Sequence, residues 1–222
     1  DVRNQGTEPV CVGMSACAVQ ESQEFCKFLS PRFLYERIKL PGGGAYPRDA
    51  MDVLTKVGVP PESCQPFFQN AIPKPCGDAL ELAKEHKIQG YARLTTLEEM
   101  KQCLADLGCF TIALGVTAGW SDVEVNGIVP EEGEIIGYHQ VVFVGYDDAK
   151  KLVKFRNSWG DAWGEKGYGY IGYNHLMNVM TDAWSFVDVP EQEEEKPRAT
   201  RSVLGELWAR IKELFGLRKC VK

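Results

Sequence analysis

Four side chains in this chain make a complete set for acyl transfer: a carboxamide at Gln5, a thiol at Cys11, an imidazole at His139 and a second carboxamide at Asn157. A thiolate can attack a carbonyl carbon. An imidazole beside it can take the thiol proton and return it to the leaving group, and a carboxamide on the far ring nitrogen can fix tautomer and orientation. An unperturbed thiol is mostly protonated near neutrality, so attack requires a stabilised thiolate. Two sources of that stabilisation are legible: a helix N-terminus under Cys11 and an imidazolium at His139. The oxyanion formed on attack needs donors, which the Cys11 backbone N–H and the Gln5 side chain, turned back at Gly6, can supply. Trp159 is placed to cover the His139 to Asn157 bond from water.

The flanking patterns predict elements able to hold these groups. Pro9 precedes Cys11, and Met14, Cys17, Ala18, Val19, Phe25 and Phe28 follow without strand-like alternation, which reads as a buried helix starting near Val10. Ser30 and Pro31 start a second helix carrying Phe33, Leu34, Arg37 and Ile38. Pro47 starts a third, stopped at Gly58. Thr96 to Glu99 is a capping box for a fourth that ends near Gly108. The period then changes to short apolar or alternating runs at 110–116, 140–146, 152–156, 168–171 and 184–187, with Asp147, Asp148, Ala149 and Lys150 as a hairpin connection. Helices first and strands after predict an α+β protein, with a site in the groove between its halves. The expected division is a domain over 1–188, its helical lobe about 5–105 and its sheet lobe about 106–188.

Gln5-Gly6, the helix of Cys11, His139 followed by Val141-Val142-Phe143-Val144-Gly145-Tyr146, and the block from Asn157-Ser158-Trp159-Gly160 through Trp163-Gly164 to Gly167-Tyr168 together resemble the papain-like cysteine peptidases. The likeness spans about 1–188, and its last block is highly specific. It implies a helical lobe and an antiparallel, barrel-like sheet lobe with the active site in the cleft between them. It also implies an endopeptidase forming a thioester on Cys11, with no metal and no organic cofactor. By the same resemblance Gly44 and Ala45 hold the substrate backbone, and Tyr46, Pro47 and Ala113 lie near the pocket for the side chain preceding the scissile residue's own. Departures cluster around the nucleophile. Secreted members carry a disulfide-bonded Cys three residues before it, where Glu8 stands, and its partner's place is Gly42. Val12 stands where an aromatic is usual, and Pro9-Val10 where Gly-Ser or Gly-Ala is usual. The chain resembles a divergent, prokaryotic-type branch. Its start close to Gln5 reads as a processed chain or an excised fragment.

Composition narrows the partners. At 222 residues, 44% hydrophobic and net charge −6, the chain can bury a core and offers no basic face for nucleic acid. No apolar run is long enough to span a bilayer, so membrane association is not expected. The substrate class is peptide or protein. Of the eight cysteines, Cys17, Cys26, Cys103 and Cys109 lie in apolar patterns as buried thiols, and Cys64 with Cys76 is the one pair for which a bridge stays open. The absent family disulfide tilts the compartment toward a reducing, cytoplasmic one. An acidic linker at 189–200 leads to an amphipathic helix at 201–222, apolar at positions from Val203 to Phe215, which can dock on the domain, on a second copy, on a partner or on a membrane surface. His86 reads as a solvated helix-face residue, His175 as a surface or packing residue and Glu8 as a solvated carboxylate or a contact for a basic substrate group. Two other readings share the residues: the same acyl-enzyme passed to an amine or drawn from a non-peptide amide, and a catalytically silent homologue acting as a binding module.

Overall fold

The computed structural model describes residues 2–24 and 28–187. Phe25, Cys26, Cys220, the acidic linker and the helix expected at 201–222 lie outside the described residues. The chain divides into a unit spanning Asp1–Asp188 and a second spanning Val189–Lys222, and every described helix and strand belongs to the first.

Helix α1, Cys11–Glu24, is buried continuously from Val12 to Gln20, as expected of a helix covered on every side. In α2, Pro31–Ile38, Pro31 takes the first helical position and the Ser30 hydroxyl accepts the Phe33 N–H at 3.0 Å. Helix α3, Pro47–Lys56, stops where Gly58 turns with φ +84°; a Cβ there would lie 1.8 Å from the Ala83 carbonyl oxygen, so the position requires glycine. Helix α4, Ala79–Lys84, follows, and then strand β1, Gly90–Arg93. In α5, Leu97–Leu107, the Thr96 and Glu99 capping box forms in both directions. Strands β2, Phe110–Thr117, β3, Ile135–Asp147, β4, Leu152–Arg156, and β5, Tyr168–Gly172, precede helix α6, Tyr173–Val179, and strand β6, Met180–Val187.

The strands make one six-stranded sheet in the order β1-β6-β2-β3-β4-β5, with every pairing antiparallel. The α+β expectation is met, with three additions. Strand β1 comes from a stretch assigned to the helical half and joins the sheet edge beside β6. Helices α4 and α6 are six and seven residues long, too short for periodicity to reveal.

Helix α1 contacts α2 and α3 on one side and β2 and β3 on the other. The hydrophobic cluster around it runs from Met14, Phe33, Leu34, Met51 and Leu54 to Val142 and Phe186 of the sheet. Full burial of each such side chain contributes about 1.5–3 kcal/mol. A second, aromatic cluster stacks Trp120 on Phe155 at 5.3 Å and on Trp163 at 6.2 Å. The result is a central helix wedged between helices and sheet, with its first residue, Cys11, at the edge of both.

Candidate active site

Positioning begins at the N-terminal segment. Gly160 N–H donates to Arg3 O at 3.0 Å and Gln5 N–H to Ser158 O at 2.9 Å, so residues 3–5 run beside 158–160. Gly6 then reverses the chain at φ +60°, a conformation glycine adopts without penalty. Gln5, only 6% exposed, is gripped at both ends of its carboxamide: Oε1 accepts from Ser158 Oγ at 2.6 Å and Nε2 donates to Glu8 O at 2.7 Å. One Nε2 hydrogen remains for an oxyanion. Ser158 belongs to the block read from sequence, but its role as the clamp on Gln5 carries no local signal.

Glu8 is not a solvated carboxylate. It pairs with the guanidinium of Arg32, itself 1% exposed, while its other oxygen accepts the Asn70 N–H at 2.6 Å. Arg32 also donates to Phe68 O at 3.1 Å. An ion pair therefore ties the segment ahead of the nucleophile to α2 and to the loop around 68–70. That loop is closed in turn by the Cys64–Cys76 disulfide, a bridge that sequence leaves open.

Cys11 is the first residue of α1 and is partly exposed. Burial pushes its thiol pKa up, while the backbone N–H of Gln140, followed by those of Val12 and Cys11 itself, stabilises the thiolate. The sulfur thus lies against the residue that follows His139. His139 is buried in β3, and its Nε2 is 2.7 Å from Asn157 Oδ1. The same Oδ1 accepts the Ser158 N–H at 2.8 Å, which identifies it as the oxygen end. Nε2 therefore carries a proton, and in the neutral ring Nδ1 is the acceptor. Trp159 stacks on the imidazole at 4.7 Å between ring centroids. Burial holds His139 down at about 4, partly offset by Asn157. Each group alone therefore favours its neutral form.

The residues expected to meet substrate fall on the loop before α3, at the start of α3 and on β2. Gly44 donates its N–H to Tyr35 Oη at 3.2 Å and accepts Leu40 N–H on its carbonyl at 2.9 Å. Its backbone is engaged internally on both sides. Gly43, one residue earlier, abuts Pro9, which sets this loop beside the Cys11 segment. Tyr46 is 62% exposed and Pro47 opens α3. Ala113 is buried in β2, directly across from Gln140 in the register.

The remaining histidines depart from expectation or refine it. His86 Nδ1 meets a Glu24 carboxylate oxygen, so it is a paired residue and not a solvated one. His175 is a buried packing residue. Cys17 and Cys103 are buried thiols, and Cys109 is half-buried. Cys64, Cys76 and Asp78 form the one group of metal-type donors among the described residues, and the two sulfurs are tied up in the bridge. No described helix is long and apolar enough to cross a membrane.

A buried helix carrying a thiol at its N-terminus thus packs against a sheet that carries the imidazole, with the carboxamide paired to it just beyond β4. The family model for papain family cysteine proteases matches residues 1–186, and the chain belongs to that family. The solved structure of xylellain, a cysteine protease from Xylella fastidiosa, superposes with a TM-score of 0.76 at 25% identity, covering 85% of this chain and 82% of that one. Bromelain protease from Ananas comosus shares the fold, with a TM-score of 0.69 at 22% identity over 84% of this chain and 92% of that one. Cathepsin K of Mus musculus is 27% identical over 195 residues, 78% of this chain and 56% of that protein. An uncharacterized peptidase-like protein of Acanthamoeba polyphaga mimivirus is 35% identical over 136 residues, 53% of this chain and 43% of that protein. Matches to these and two other curated relatives span between 17% and 56% of their lengths.

Proposed function

We propose that this chain is a cysteine endopeptidase that cleaves peptide or protein substrates through a thioester on Cys11. The observation that carries the reading is the His139 Nε2 to Asn157 Oδ1 bond at 2.7 Å. It fixes the ring so that Nδ1 is the nitrogen able to take a thiol proton.

The proposed steps use these groups in turn. The Cys11 thiol gives its proton to His139, and the sulfur attacks the substrate carbonyl carbon, pushing its π electrons onto oxygen. The resulting oxyanion is met by the Cys11 N–H and the remaining N–H of Gln5. As the carbonyl re-forms, the C–N bond breaks and His139 delivers its proton to the departing amine. Water then attacks the thioester, giving a proton to His139, and the thiol leaves with that proton. Ala45 supplies backbone hydrogen bonds to an extended peptide, with Tyr46, Pro47 and Ala113 near the side-chain pocket. The lean toward a reducing compartment rests on the family disulfide missing at Glu8 and Gly42; the separate Cys64–Cys76 bridge supports an oxidising one.

The test is labelling by a peptidyl epoxide, read by intact mass and peptide mapping, together with peptide turnover. Labelling confined to Cys11 and lost in His139→Ala, with hydrolysis products released, supports the reading. A folded wild type that is unlabelled at Cys11 overturns it. Product transferred to an added amine in preference to water would assign transfer in place of hydrolysis.

A further inference from the structure

The two groups read as oxyanion donors, the Gln5 side chain and the Cys11 N–H, are both referred to one atom, the carbonyl oxygen of Glu8. That oxygen accepts Gln5 Nε2 at 2.7 Å and the Val10 N–H at 2.9 Å, which occupies both of its lone pairs. The first bond aims the second Nε2–H, because the two hydrogens of a carboxamide share one plane at a fixed angle. The second bond shapes the turn that leads into Cys11, the first residue of α1.

Glu8 lies in the irregular stretch between Gln5 and α1, where no ladder of main-chain bonds holds its carbonyl. Its side chain does the holding. One carboxylate oxygen accepts the Asn70 N–H at 2.6 Å and the other meets the Arg32 guanidinium. Arg32 is itself immobilised: it is 1% exposed, reaches Phe68 O at 3.1 Å and Glu36 at 3.4 Å, and lies 4.9 Å over the Phe67 ring. A buried ion pair adds little net stability over an apolar pair of the same size, but its hydrogen bonds fix direction. Direction is what an oxyanion donor requires.

We propose that Arg32 is a positioning residue for catalysis: by gripping the Glu8 carboxylate it places the Glu8 carbonyl, and through it the Gln5 N–H that meets the oxyanion. The inference rests on the reading of Gln5 as an oxyanion donor to the Cys11 reaction. Arg32 touches no reacting atom. Its influence passes through two bonded links, guanidinium to carboxylate and carbonyl to carboxamide.

Arg32→Met keeps an unbranched side chain in the buried position and removes the guanidinium. The expected result is a fall in kcat on a peptide substrate of about tenfold, less than the ~10²-fold of losing the donor itself, with KM within about twofold of wild type. In a Gln5→Ala background the same substitution should add no further loss. Iodoacetamide gives a readout that general loosening of the site would move: the Cys11 sulfur bonds to a saturated carbon and iodide leaves, so no oxyanion forms. Its rate at Cys11, followed by peptide mapping, should match wild type in Arg32→Met. Unchanged kcat, a loss additive with Gln5→Ala, or a parallel fall in alkylation overturns the proposal. Should Arg32→Met fail to fold, Glu8→Gln takes its place, keeping an oxygen for Asn70 and removing the charge that Arg32 grips. A kcat loss of about threefold that disappears in Gln5→Ala supports the proposal, and wild-type kcat overturns it. Unchanged turnover in Gln5→Ala alone would instead sink the reading of Gln5 as a donor, so the two failures are separable.

Discussion

Gln5 and Ser158, 153 residues apart in sequence, are joined twice: main chain to main chain at 2.9 Å and hydroxyl to carboxamide oxygen at 2.6 Å. The proposed oxyanion donor is therefore held by the same block that carries Asn157. Ser158→Ala removes the side-chain bond and leaves the main-chain one. Turnover should fall roughly 2- to 10-fold, the worth of one such bond, with KM little changed. Gln5→Ala should cost on the order of 10²-fold or more. The double variant should be no slower than Gln5→Ala, because both act through one donor. Additive losses in steady-state kinetics would show that Ser158 acts elsewhere.

His139 offers a pH test once the thiol is removed. In Cys11→Ser the imidazole has no thiolate partner, and burial holds it near 4, below its ordinary 6.5. The folded state then binds fewer protons than the unfolded one between those values, so stability is full above about pH 6.5 and is lost as pH falls through about 4. The whole effect is worth about 3 kcal/mol. Urea unfolding of Cys11→Ser at stepped pH should show this slope, and Cys11→Ser with His139→Gln should lack it. A ring titrating near 6.5 in NMR would contradict the burial argument.

The Glu8 and Arg32 pair should behave as a buried ion pair and not as surface decoration. Arg32→Met leaves a carboxylate under the chain without its cation and should cost about 3 kcal/mol, at the lower end for such losses because Glu8 keeps some exposure. Adding Glu8→Leu should recover part of that loss, since an apolar pair removes the uncompensated charge. Chemical denaturation of the three proteins measures both effects, and equal stability for all three would show the pair to be idle.

Removal of the Cys64–Cys76 bridge, which closes a sequence separation of 12 residues, should lower stability by about 2–3 kcal/mol through the freed loop. Cys64→Ser with Cys76→Ser should also loosen the Asn70 contact to Glu8, seen as faster amide exchange at residues 68–70. Unchanged exchange there would mean that Arg32 and Glu8 hold the loop without the bridge.

How much of the fold and site is legible in the sequence depends on how far each signal reaches along the chain. Pro31, Pro47, Gly58 and the Thr96 capping box are local devices, and each marks a helix boundary near where it stands. Gln5, Cys11, His139 and Asn157 stand out because their neighbours are distinctive, not because their proximity can be deduced. Glu8 and Arg32 lie 24 residues apart and belong to no local pattern, so a carboxylate fully committed to an ion pair reads as solvated. His86 misleads for the same reason, its partner Glu24 being 62 residues away. Gln140 is hidden in an apolar strand run, where one polar residue reads as an interruption until its burial is known.

The stacking of Trp159 on His139 at 4.7 Å gives the molecule an intrinsic optical reporter. An indole in face contact with imidazole emits differently when that ring becomes a cation, because the charged ring quenches the excited state more strongly. Protonation of His139 during turnover should therefore appear as a change in emission without any attached dye. Against a background of Trp120, Trp163, Trp184 and Trp208, a Trp159→Phe variant would identify the source of the signal, and stopped-flow emission would then time the proton's arrival.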